Sequence, residues 1–111
     1  MKLRFSSRKL EKSVESFSAI KKNYGEWAKQ VDQRLDDLEM ADCLAVMYTI
    51  TSAHCHELSG GRAGEFAVSI SRNHRIIFVP DHDPVPRKDD GGVDLHLVDS
   101  IVITAVGEDY H

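Results

Sequence analysis

The chain has 111 residues, of which 41% are hydrophobic and 29% charged, with a net charge of −4. That length suits one domain over residues 1–111, and the composition excludes a disordered chain. No run approaches the ~20 apolar residues of a membrane helix, and the charged start, Met1 to Leu10, lacks the apolar core of a signal peptide, so no membrane association and a cytoplasmic location are expected. The charge is uneven: residues 1–34 hold nine Lys/Arg and four Asp/Glu (+5), residues 35–111 five and fourteen (−9), which sum to −4. An acidic total speaks against nucleic-acid binding by bulk charge, although the basic N-terminal third can hold a nucleic acid locally.

Lys2-Leu3-Arg4-Phe5 alternates and predicts a short strand. Ser6 and Ser7 are candidate N-caps for a helix from Arg8 to Lys22, carried by Leu10, Val14 and Phe17 and presenting Lys9, Lys12, Lys21 and Lys22. Asn23-Tyr24-Gly25 breaks the pattern. Ala28, Val31, Leu35 and Leu38 then predict a second amphipathic helix, ending near Met40 to Asp42 and packing on the first as a hairpin. Leu44 to Ser52 is apolar but irregular and fits either a short helix or a connector. From His56 the period becomes two. Glu65–Ser71 and His74–Val79, with a turn at Arg72-Asn73, predict a β-hairpin. All three prolines fall in a loop over residues 80–92, and Leu95 to Val106 predicts a last strand. The order β-α-α-β-β-β predicts an α+β domain: a three-stranded antiparallel meander joined by the first strand, with two helices on one face.

Two clusters bear chemistry. Cys55-His56-Glu57-Leu58-Ser59-Gly60-Gly61-Arg62-Ala63-Gly64 sets an arginine in a glycine-rich loop, where the backbone can approach a ligand. Asp109-Tyr110-His111 gathers an acid, a phenol and an imidazole. Cys43 and Cys55 are too few for a disulfide framework and read as reduced thiols. Cys55 and His56, as strand neighbours, point to opposite faces and make a poor nucleophile–base pair. The histidines show no zinc-type spacing, so neither metal nor cofactor is expected. Trp27 reads as core, and His74 and His96 as exposed or half-buried strand positions.

Taken in order, Cys55-His56-Glu57-Leu58, Gly60-Gly61-Arg62-Ala63-Gly64-Glu65-Phe66-Ala67-Val68, Asn73-His74-Arg75-Ile76-Ile77-Phe78 and Glu108-Asp109-Tyr110-His111 resemble the HigB toxins. These form the plasmid maintenance system killer branch of the RelE/ParE superfamily. Phe5-Ser6-Ser7-Arg8-Lys9-Leu10-Glu11-Lys12 and the Tyr24-Gly25 break are similar as well. The resemblance implies a RelE-like fold and ribosome-dependent, metal-independent cleavage of mRNA. It also implies neutralisation by a HigA-like helix-turn-helix antitoxin. It makes His56, Asp109, Tyr110 and His111 the catalytic candidates and Arg62 and Arg75 the RNA phosphate-binding ones. Such cleavage needs a base for the 2′-hydroxyl, an acid for the leaving 5′-oxygen and a cation for the phosphate. Imidazoles suit the first two and guanidinium groups the third. Tyr110 can stack on a base, and Asp109 can orient an imidazole or act as base.

The chain departs from that branch at Ser59 and Gly61, where those toxins commonly carry a lysine and an acid, and in its acidic charge. Two alternatives follow: a ParE-like gyrase-binding toxin without nuclease activity, and a catalytically weakened relative that only binds its antitoxin.

Overall fold

The computed structural model describes residues 1–109; Tyr110 and His111 lie outside the described residues. A five-stranded sheet carries the helices on one face. Its strands are β1 (Lys2–Phe5), β2 (His56–Glu57), β3 (Phe66–Ser69), β4 (His74–Pro80) and β5 (Ser100–Asp109), in the spatial order β1-β5-β4-β3-β2. Strands β2 to β5 pair antiparallel with their neighbours, and β1 lies parallel to β5. The predicted α+β class, the hairpin at 65–79 and the first strand's place in the sheet all hold.

The predicted helix from Arg8 to Lys22 is instead two, α1 (Arg8–Ser13) and α2 (Phe17–Tyr24). Serines punctuate them. Ser7 and Ser16 each take up an amide of the following helix, from Leu10 and Ala19 at 3.1 Å. Ser13 turns its hydroxyl back to the Leu10 carbonyl, a local bond that competes with helix propagation. A single 3-10 turn, Gly25–Trp27, leads into α3 (Ala28–Met40), as the spacing predicts. Of the two readings of the region from Leu44 to Ser52, the short helix is the one found: α4 (Leu44–Met47), followed by a 3-10 turn, Thr51–Ala53. The first amides of α4 donate to the carbonyls of Val98 and Leu95. The predicted strand from Leu95 therefore begins only at Ser100. Asp94 closes a turn on the His96 amide, which puts His96 in an exposed turn rather than on a strand.

The core lies between the sheet and the helices: Phe66, Val68, Ile76, Phe78, Ile101 and Ile103 meet Ile20, Val31, Leu38, Leu44 and Met47. One charged side chain is buried among them. Arg34, 9% exposed, stands on the inner face of α3. It donates to the carbonyls of Ser69 at 2.8 Å and Ser52 at 2.9 Å and pairs with Asp37 at 3.1 Å. Those bonds offset the cost of removing a guanidinium from water. They also tie α3 to both the sheet and the 51–53 turn.

Candidate functional site

The last strand controls which side chains reach the sheet's open face. Ten residues of β5 run beside seven of β4, and the register slips between Arg75 and Ile76 and again between Ile77 and Phe78. Thr104 and Gly107 are the surplus residues. Gly107 has φ +86, a conformation that costs glycine little and other residues more. Because of this bulge Glu108, not Gly107, faces Arg75, and Asp109 faces His74. Cross-strand partners share a face and neighbours alternate. Glu108 therefore joins the open face, and Asp109 joins the helix face.

On the open face two arginines from different elements converge on one carboxylate. Arg62, in the 3-10 turn Gly60–Arg62, reaches Glu108 at 2.7 and 3.2 Å and forks onto Glu65 at 2.8 and 3.0 Å. Arg75 reaches the same Glu108 oxygen at 2.8 Å. The Arg62 guanidinium holds the Glu108 carboxyl below its ordinary value, with Arg75 adding to the effect. Arg62 likewise lowers Glu65. The arrangement is two cations shared between two carboxylates, with geometry suited to bidentate oxyanion recognition.

His56 stands on the same face. It pairs with Ala67, which pairs with Ile77, which pairs with Ala105. His56 is thus two strands from β4, roughly 10 Å at ordinary strand spacing. Its Nδ1 lies 2.9 Å from the His54 carbonyl, and the two imidazole rings are 5.2 Å apart. Cys55 points the other way, into the core, where burial pushes its thiol up to about 12. Among the described residues, no third His, Cys, Asp or Glu joins a pair to form a metal-holding group.

Of the six candidates, the structure brings Arg62 and Arg75 together and sets His56 on their face. It does not bring Asp109 to them. Asp109 lies 2.8 Å from His74 Nε2; His74 in turn meets the Ser71 hydroxyl at 3.0 Å and lies against Trp27, the two rings tilted by 35° with centroids 3.7 Å apart. Trp27 is accordingly half-buried, packed on the rim of the core. Tyr110 and His111 fall outside the described residues. Glu65 and Glu108 are the residues that sequence reasoning passed over. The available signal was Gly107, since an isolated glycine near a strand's end marks a bulge and so a change of face.

No protein-family model matches the chain, and no curated protein matches it. Solved structures do. One is the YoeB–YefM complex from Staphylococcus aureus, with a TM-score of 0.54 and 14% identity over 99% of this chain and 98% of that one. The chain has a YoeB-like fold. A second structure, the YoeB dimer from the same organism, aligns over the same shares with a TM-score of 0.49 and 14% identity. The YoeB-like architecture agrees with the RelE-like fold that the HigB resemblance implies.

Proposed function

We propose that this chain is the toxin of a type II toxin–antitoxin pair, a metal-independent endoribonuclease that cuts mRNA on the ribosome in the cytoplasm. The observation that carries the proposal is the convergence of Arg62 and Arg75 on one oxyanion, the Glu108 carboxylate, on the face that also bears His56. A guanidinium pair that grips a carboxylate has the geometry to grip a phosphate. YoeB, whose fold this chain shares, is a toxin of the RelE/ParE superfamily and supports that reading. In this scheme Arg62 and Arg75 bind the scissile phosphate. His56, Tyr110 and His111 provide proton transfer and base stacking, whereas Asp109, paired with His74 on the helix face, takes no part. The HigB-like sequence motifs favour a HigA-like helix-turn-helix antitoxin as partner.

One observation favours the weakened relative instead. Glu65 and Glu108 already bind the arginines, so RNA must displace a carboxylate to reach them. Induced expression in a bacterial host, with primer-extension mapping of a reporter mRNA, separates the readings. For a nuclease, wild type arrests growth and creates new mRNA ends, and Arg75→Ala, His56→Ala and His111→Ala lose both. Growth arrest with intact mRNA in all four turns the reading to gyrase inhibition. A folded, abundant chain that arrests nothing is the weakened relative.

A further inference from the structure

We infer that the free edge of β1 and the groove beside it bind an extended, basic segment of a partner polypeptide as a sixth strand. In the β1–β5 ladder the even-numbered residues turn their backbone groups inward: the amides of Lys2 and Ser6 donate to Asp99 and Ile103. The amides and carbonyls of Leu3 and Phe5 therefore point to the outer edge, where no described strand lies. Beside that edge runs a groove of about 660 Å³ between β1 and α3. Its apolar floor includes Leu3, Phe5, Val14 and Leu35, each only half-buried. Its far rim is acidic, with Asp32, Asp36 and Glu39 at intervals of four and three along one side of α3.

The charges choose the occupant. Two copies of this chain joined antiparallel through β1 would be related by a two-fold axis perpendicular to the sheet. Both α3 helices would then lie on the same side of the seam, acidic row beside acidic row. On the other side, the exposed Lys2 of one copy would approach that of the next, while Arg4 is already paired with Asp81 at 2.8 Å. Like charges on both sides oppose self-pairing. A foreign strand relieves the conflict if it presents apolar and Lys/Arg side chains toward α3. Main-chain bonds to Leu3 and Phe5 then supply affinity, and the rim supplies selectivity. This inference stands whether or not the chain cleaves RNA.

The test uses the full, 15N-labelled chain and synthetic peptides of about ten residues in which Lys and Val occupy one face of an extended strand and Thr the other. The Lys peptide is expected to shift the amides of Leu3, Phe5 and the 32–39 stretch. A Glu-for-Lys version should bind roughly tenfold more weakly, as two or three exposed ion pairs allow. A backbone N-methylated version should not bind. The variant Asp36→Lys/Glu39→Lys, whose changes are on the exposed rim, should reverse the preference between Lys and Glu peptides. Equal binding of both peptides, shifts confined to other surfaces, or no binding would overturn the inference. So would concentration-dependent shifts of Leu3 and Phe5 without peptide, which would make a second copy the occupant.

Discussion

Glu108 and Arg75 face each other across the β5–β4 ladder, and their side chains meet at 2.8 Å. The same carboxylate oxygen lies 2.7 Å from Arg62, so a loop and a strand are held through one atom. This contact is electrostatic and near the surface, and its contribution to stability depends on pH. Glu108 and Glu65 both have folded-state values lowered from the ordinary 4.5. A lowered carboxyl contributes stability that is complete above the unfolded value and is lost as pH falls through the folded one. The urea midpoint of the wild type is therefore expected to fall as pH drops below about 5. The Glu65→Gln/Glu108→Gln variant should start lower at neutral pH and decline less steeply. Parallel curves for the two proteins would remove these carboxylates from the acid response.

Arg34 should be costly to truncate. Arg34→Ala leaves the carbonyls of Ser69 and Ser52 without their donor and Asp37 without its charge partner. The expected loss is about 2–4 kcal/mol by chemical denaturation. Arg34→Lys should recover only part of it, because an ammonium cannot match the guanidinium's planar fork. A loss within the noise of a surface mutation would mean that water readily replaces the side chain.

Gly107→Val tests the bulge. A Cβ there meets Tyr24 carbons at 3.8 Å, an ordinary contact, so crowding is not the difficulty. The cost is conformational, since φ +86 is poor for a β-branched residue. A destabilisation of about 1–3 kcal/mol is expected. Gly107→Asn should lose less. Amide shifts confined to the ends of β4 and β5 would accompany either change.

The thiols should separate cleanly. Cys55 is buried with its thiol pushed up to about 12, whereas Cys43 is partly exposed. An aromatic disulfide reagent at neutral pH is expected to titrate Cys43 in the native protein and Cys55 only with denaturant. Rapid modification of both would show that the turn before β2 opens readily.

The architecture was legible in the sequence wherever periodicity was strong. The hairpin from 65 to 79 and the helix from Ala28 to Met40 follow from strict alternation and from the three-four spacing. The break after Ser13 was hidden because Leu10, Val14 and Phe17 keep helical spacing across it, and only Ser16 announces the restart. Arg34 falls on the apolar side of α3 between Val31 and Leu38, but a sequence pattern does not distinguish a satisfied guanidinium from a solvated one. The site was half legible. Arg62 and Arg75 were found by resemblance, but the partner that joins them was not. Alternation along β5 miscounts by one at each surplus residue, so the acidic side chain delivered to the arginines is Glu108, and Asp109 goes to His74.

That surplus also has a purely geometric effect. From Ile101 to Asp109 the strand takes eight steps while its neighbour takes six from Pro80 to His74, so β5 runs like the outer lane of a bend. A ladder with unequal lanes must curl, and a bulged strand bends and twists more tightly than a regular one. Excising Thr104 and Gly107 would leave each cross-strand partner opposite its present mate while equalising the lanes. The resulting ribbon would lose that extra bend and twist. Shape and chemistry at this end of the sheet are thus set separately: the arginines and glutamates fix the charges displayed, and two spare residues fix how the strand that carries Glu108 bends.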